Sequence, residues 1–592
     1  MFLFFIGDDS LPVDSISVDS LAADSLSVYE VPEITNFYMC DTAPPYTIAC
    51  MTKSGVFTGH DQSLIDYFFI TPFMLHVYGI GQLCTIAQRG NNPEHTVFLL
   101  NGHRLSNPLF GYFNTVVLPV QFFESMSIGG DIMTSSSQSI NLSSKINHYD
   151  KPFSYVNYTF GDFGNTMYNI DFTRPITNDI GFYLSGLYRD FEGYSGHDDF
   201  QITSFYTHLY YNQILPMRCD IIFFSNDYGL PHSPVDTLYG RGQDTFLDVS
   251  FVAGLHNHRL AAYYTMNEND YSEPYAHISL MKNYGIQTRS NHTVHDFIVR
   301  YGCTAQRSTV SSDLLGSYNI NECALWVQLE KSFSRLFLTV ASRGEWISDY
   351  DLFYLPKIII GVDVYDSTYV LGAVSRGFRT PSIAETYESN GISYPYYSIE
   401  GNKDLLPEYY WVQEFGIRKK NIFVVNFYQY DFTNRIVTQL DNEGSYIPQN
   451  IDSWQTIGVE GYFEVPFYVR HGGGNSLTEI SAGYSGNYLF KGDSIPLVPK
   501  GISTVYLSLK RLTERFSFMV LGKERFIGMR HDMSGQELNS FGLFSISGTI
   551  KFITLSCTLT LDNVLDESYD YIPDYAMPPR SFALSIKWEF WN

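Results

Sequence analysis

From about Tyr149 to the C-terminus the chain is written in short segments whose apolar and polar positions alternate. LDVSFVAGL (247–255) sets Leu247, Val249, Phe251 and Ala253 against Asp248, Ser250 and Val252. GFYLSGLY (181–188) sets Phe182, Leu184 and Tyr188 against Tyr183, Ser185 and Leu187. The closing SFALSIKWEFW (581–591) sets Phe582, Leu584, Ile586, Trp588 and Phe590 against Ala583, Ser585, Lys587 and Glu589. Successive side chains of a strand point to opposite faces, so a period of two gives each segment one apolar and one polar face. Such a strand suits a half-buried soluble sheet or a lipid-facing barrel equally well. No apolar run reaches the length of about 18 residues that a membrane helix needs, so a closed barrel is the one remaining way to cross a bilayer.

Composition favours the barrel. Charged residues are 17% of the chain, below the roughly 25% of soluble globular proteins. Aromatics are 16%, with 46 Tyr and 45 Phe against 6 Trp. At 592 residues the chain also exceeds what one ordinary soluble core supports. A large soluble propeller would show repeats of roughly 40 to 50 residues, and none is visible.

Short links such as HNHR (256–259) alternate with long ones such as GYSGHDDFQ (193–201) and ESNGISYPYYSIEGNKDLLPE (388–408), the habit of outer-membrane barrels. Residues 149–592, at roughly 20 residues per strand and connection, give about 22 antiparallel strands. A bore that wide cannot be filled by its own side chains and needs a stopper. Residues 29–148 are the candidate. Ser63–Phe69 reads as the start of a short helix, HTVFLLNGHRL (95–105) as strand, Asn-Gly turn and strand, and SMSI (125–128) as another short strand. The expected fold class is therefore a membrane all-β protein: a transmembrane barrel over 149–592 with an N-terminal mixed α/β plug over 29–148. Residues 1–28, with the pentads DSLPV DSISV DSLAA DSLSV over 9–28, read as a flexible acidic segment. MFLFFI lacks the basic start and the length of an export signal, so either the true start lies upstream or the signal has been removed or misread.

Several stretches then resemble the TonB-dependent outer-membrane receptors, most closely the vitamin B12 and siderophore branch. In the plug these are Arg89-Gly90, VFLLNG (97–102) and LPVQFFESMSI (118–128), in the family's order and spacing. In the barrel they are SRGFRTPSIAETY (375–387), GNKDLLPE (401–408), EFGIR (414–418), TIGVEGYFE (456–464) and the ending DNVLDESYDYIPDYAMPPRSFALSIKWEFW (562–591). The chain departs from the family pattern at Ile128-Gly129-Gly130-Asp131, where a second Arg-Gly is usual, and at Asn101, where Asp is usual. TSSSQSINLSSK (134–145) replaces a Gly-rich run, Trp591 and Asn592 extend past the expected final Phe590, and VYEVPEI (28–34) matches the energiser-docking segment poorly.

The resemblance implies a bacterial outer-membrane receptor, not an enzyme. It implies import of a scarce small-molecule ligand, a cobalamin-like corrinoid or an iron-siderophore, driven by the TonB–ExbB–ExbD complex. It also implies outer-membrane lipids as surroundings and the barrel-assembly machinery as reader of the last strand. Arg89 is the expected plug side of a plug–barrel lock, with Glu414 and Glu460 as its barrel carboxylates; the bland alternative is that both merely line a wet lumen. Charges avoid the lipid face, where they cost about 2–4 kcal/mol at mid-depth, so both should point inward. NPLFGYFN (107–114) is the expected apical loop, with Phe110, Tyr112 and Phe113 offering aromatic faces to a ligand or simply packing the plug. No cofactor is required. Asp198 and Asp199 are candidates for a loop calcium site, against the simpler reading of a solvated acidic loop. His256 and His258 lack further ligands nearby in sequence for zinc.

Cys40 with Cys50, or Cys303 with Cys323, are possible disulfides, and free small apolar residues are the favoured reading. G-x-S-x-G, H-E-x-x-H and G-x-x-x-x-G-K-[ST] are all absent, and a net charge of −25 argues against nucleic acid. The competing reading is an uncoupled surface-binding barrel or passive porin that has lost TonB coupling.

Overall fold

The computed structural model describes residues 49–52, 68 and 71–591, apart from 130–133, 137, 147–151, 214, 231–239, 256, 273–275, 366, 388–399, 420–421, 441–445, 472–475 and 514. Twenty-two strands close into one barrel, running from Phe153–Gly161 to Ser581–Trp591, and these two pair with each other antiparallel. Closure leaves no strand edge unpaired, which a hydrocarbon environment demands of every backbone group.

Alternation is what lets the wall face two solvents. Ile170, Phe205, Ile286 and Leu325 lie exposed on the outside, while Asp171, Ser204, Asp248 and Ser308 lie buried inside. The last strand obeys the same rule: Phe582, Ile586 and Trp588 point outward and Ala583, Ser585 and Lys587 inward. Connections are tight at one end, as between Leu255 and His258 or Phe552 and Leu555, and long at the other, as from Arg379 to Glu408.

The segment before the barrel forms a five-stranded sheet in the order Ala49–Thr52, Phe123–Gly129, Ser139–Ser144, Val97–Leu100, His103–Leu105. Val97–Leu100 runs parallel to Ser139–Ser144 and every other pairing is antiparallel. Asn101 and Gly102 both adopt positive φ (52° and 89°), the twist a two-residue hairpin turn requires. A smaller hairpin joins Met74–Val77 to Cys84–Ala87. Of the helix expected at Ser63–Phe69 only Phe68 is described; the plug's remaining helical turns among the described residues are three short 3-10 turns.

This domain fills the bore. Gln82 donates to the Gly229 carbonyl (2.7 Å), His103 meets Asp248 (2.8 Å), Asn283 donates to the Ser106 carbonyl (2.9 Å), and Arg525 donates to the Thr71 carbonyl (3.0 Å). The first three partners sit on one sector of the wall and Arg525 on another. Apolar contact is broad: Phe122, Phe98 and Phe113 share a continuous core with Tyr206, Phe224 and Phe246 of the wall, and that core reaches Val424 and Tyr462. Buried charge is set among it, on strands Glu408–Lys419, Phe423–Leu440 and Tyr446–His471 and also at His103–Asp248 and Lys145–Asp171.

Candidate functional site

Arg89 follows strand Cys84–Ala87 in a reversal where Arg89 and Gly90 both have positive φ (53° and 71°). The turn presses directly on the wall: a Cβ on Gly90 would lie 2.7 Å from a Leu489 methyl. A residue with a side chain is therefore excluded there twice, by conformation and by space. The reversal aims the Arg89 guanidinium outward, where Nη1 lies 2.8 Å from Glu414 and Nη2 2.5 Å from Glu460. Nη1 also donates to the Tyr430 hydroxyl (3.1 Å), and the guanidinium sits over the Tyr428 ring (5.0 Å). Asn426, on the strand between the two carboxylates, donates to Glu414 (3.0 Å). One plug cation thus bridges two barrel strands in a buried setting, and removing it would strand a carboxylate; breaking such pairs costs about 3–5 kcal/mol.

A second charged cluster lies toward the long-loop end. His95 of the plug pairs through Nε2 with Glu408, whose other oxygen accepts the Ile436 N–H (2.8 Å). Burial pulls the His95 pKa below its ordinary 6.5 while Glu408 opposes that pull. Arg379 lies between Glu408 (3.6 Å) and Glu385 (2.8 Å). Glu385 belongs to the short helix Ile383–Tyr387, whose first amides donate to the Pro108 and Leu109 carbonyls of the plug (3.1 and 2.9 Å). The longest loop therefore grips the apical segment directly.

Ahead of strand Met74–Val77, the fully buried Arg525 donates to the carbonyls of Phe68 and Thr71 (3.0 Å each) and of Phe73. Arg525 grips this segment through backbone carbonyls, so its own hydrogen bonds do not depend on which side chains occupy it, while Phe68 and Phe73 join the apolar core.

Between the apical loop and the long loops opens a cleft lined by Arg104, Tyr112, Glu322, Asp349, Tyr350 and Arg379 among others. Tyr318 and Tyr387 stack at its side (5.0 Å), and Arg104 reaches Glu322 at 3.4 Å.

A closed barrel of 22 strands, a folded stopper and buried plug–wall ion pairs form one assembly, and a family profile described as TonB dependent receptor-like, beta-barrel matches residues 114–564. The chain belongs to the TonB-dependent receptor family. It is an outer-membrane receptor for TonB-dependent transport. No functionally curated protein matches the sequence. Among solved structures, the receptor is similar to the siderophore receptor PirA from Pseudomonas aeruginosa (TM-score 0.69, 16% identity, 93% of this chain and 100% of that one). It is similar also to a ferric enterobactin receptor mutant, PfeA from Pseudomonas aeruginosa (0.73, 13%, 93% and 100%), and to the copper transporter OprC (0.75, 14%, 94% and 100%). At these identities the likeness speaks for the fold.

Of the residues singled out in the receptor's sequence, Arg89, Glu414 and Glu460 come together at one point. Tyr112 and Phe113 line the cleft, although Phe113 is buried against Phe98 (5.5 Å) and Phe246 (6.1 Å). Phe110 stacks on Tyr112 (5.7 Å) and packs with Leu109 and Ile383. Asp198 accepts the backbone N–H groups of Tyr194 (3.1 Å) and Ser195 (3.2 Å), and Asp199 pairs with Arg241 (2.9 Å). Among the described residues no group of three His, Cys, Asp or Glu is placed to hold a metal ion. His258 bonds Ser290 (2.7 Å), and His256, Cys40 and the docking-like VYEVPEI lie outside the described residues. Cys303 and Cys323 are free, on adjacent strands but out of register, with Cys303 opposite Leu325. Sequence reading passed over Arg525, Arg379 and the His95–Glu408 pair. Alternation marks Arg525 and Glu408 as lumen-facing, and nothing in the sequence names their partners.

Proposed function

We propose that this receptor imports a scarce metal-bearing chelate, a corrinoid or an iron-siderophore complex, when the TonB–ExbB–ExbD complex pulls on its N-terminal segment and displaces the plug. Arg89 with Glu414 and Glu460 is the latch that this pull opens. The observation that carries the reading is the Arg89 bridge itself, a buried cation shared by two barrel strands. Its bonds are polar, so water entering as the plug shifts replaces them, whereas the apolar contact with Phe224 and Phe246 has no such substitute. The polar latch is therefore the part of the interface that a pull can open. The structural neighbours include proteins named as siderophore receptors and a copper transporter, which supports a metal-bearing ligand. The last strand, with its outward Phe582, Ile586 and Trp588, is the element offered to the barrel-assembly machinery.

The test is uptake of radiolabelled ferric chelates and cobalamin by cells carrying the receptor, with and without a protonophore. Energy-coupled import predicts that uptake collapses when the proton gradient does. Flux that survives the protonophore would instead establish an uncoupled barrel.

A further inference from the structure

The receptor's charge is distributed very unevenly between its two ends. The connections at the long-loop end, which in this architecture faces the exterior, are 162–165, 192–199, 230–240, 272–276, 313–315, 348–351, 380–407, 441–445, 492–500, 528–540 and 563–580. The described residues of these connections hold seventeen Asp and Glu against four Lys and Arg: Lys403, Lys500, Arg530 and Arg580. The described residues of the tight turns at the other end hold two acidic and two basic residues. The described mouth through which a ligand must enter is therefore strongly acidic, and the opposite end is balanced.

The cleft beneath that mouth offers no surplus cation. Arg104 already faces Glu322, and Arg379 lies between Glu385 and Glu408. Even at the rim, Arg530 is turned onto Asp570 (3.1 Å) and the Asn539 carbonyl (3.2 Å). Acidity is in excess instead. Asp349 lines the cleft, and so does Glu94, whose Oε2 is buried without a hydrogen-bond partner. Burial, reinforced by Glu385 and Glu408 and opposed by Arg379, pushes the Glu94 carboxyl up to about 7, so it is poised to release its proton when a positive group arrives.

We propose that the ligand taken by this receptor carries a net positive charge, a cationic metal chelate being the expected class. This rests on the receptor reading above and narrows it. A polyanionic chelate would meet a repelling field on approach and then lose its water in a cleft whose arginines are already neutralised. A cationic one is drawn in by the same field, and stacks its apolar parts on Tyr112, Tyr318 and Tyr387.

The experiment uses the full-length receptor in a zwitterionic detergent and follows quenching of its aromatic fluorescence by three ferric probes. These are a linear trihydroxamate chelate ending in a free ammonium, the same chelate N-acetylated, and a trianionic tris-catecholate. The ammonium form is expected to associate about tenfold faster than its acetylated twin at low ionic strength, with the ratio falling toward one as salt rises, and the catecholate to be slowest. The double variant Glu94→Gln, Asp349→Asn should shrink the ratio by slowing the ammonium form more than its acetylated twin, its fold verified by the heat-modifiable mobility of the intact barrel. A catecholate that binds as fast as the ammonium form, a ratio unaffected by salt, or no response to any probe overturns the inference. Protonophore-insensitive uptake alongside an intact charge preference would strike the coupled-transport reading alone.

Discussion

Arg89 shows what a single side chain can be asked to do in this molecule. It closes the gap between Glu414 and Glu460, and it is itself almost fully buried. Arg89→Ala should lower plug stability by about 3–5 kcal/mol, because Glu460 would be left buried and unpaired. Hydrogen exchange of strand Cys84–Ala87 should report that loss while the barrel strands keep their protection. Glu94 gives a pH prediction with a definite sign. Its native pKa of about 7 lies above the 4.5 of an unperturbed Glu, so the folded plug holds this proton more tightly than the unfolded chain. Stability from this group is therefore full below pH 4.5 and is lost as the pH rises through 7. Glu94→Gln should stabilise the plug by roughly 1–3 kcal/mol at pH 8 and leave it nearly unchanged at pH 4, as read by denaturant titration at the two values.

At the scale of the element, the Arg89-Gly90 reversal and the lipid-facing strands each depend on a geometric condition. Gly90→Ala would need both a left-handed backbone and the space that Leu489 and Thr456 occupy. It should push the reversal off the wall and weaken the Arg89 contacts, seen as faster proteolysis within residues 84–100 with no change in barrel migration. On strand Gly316–Phe333, Leu325 is 70% exposed to the outside and Ala324 faces in. Leu325→Arg should cost about 2–4 kcal/mol in a bilayer, whereas Leu325→Ala keeps the face apolar. Folding yield into vesicles, read from heat-modifiable mobility, separates the two. Both elements were legible in advance to different degrees. The period of two put Glu414 and Glu460 inside, because a charge on the lipid face would be expensive. What Gly90 touches was not legible, since Leu489 is some 400 residues away in sequence.

Over the whole molecule, closure is the condition for everything else. The last strand pairs with the first, from Ala583 opposite Gly161 to Trp591 opposite Phe153. Deleting residues 581–592 should expose two strand edges to lipid and abolish the compact, heat-modifiable barrel altogether. The plug is held in that bore by two kinds of contact, an apolar core shared with Tyr206, Phe224 and Phe246 and buried charge pairs with Glu408, Glu414, Glu460, Asp248 and Asp171. Such an arrangement stays shut at rest and still has contacts that water can replace.

Alternation, loop lengths and the absence of a helical span were enough, from the sequence alone, to determine a closed two-faced barrel of about this strand number needing a stopper. Those properties are periodic and local, and local patterns survive in a string of letters. Which plug residue meets which strand was settled only by the tertiary structure. Arg89 reaches Glu414 and Glu460, His95 reaches Glu408, and Arg525 holds the carbonyls of Phe68, Thr71 and Phe73. Those meetings depend on barrel register, on the left-handed turn at Arg89 and Gly90, and on how the plug is rotated in its bore. Each is a sum over contacts hundreds of residues apart, and no single stretch of sequence carries it.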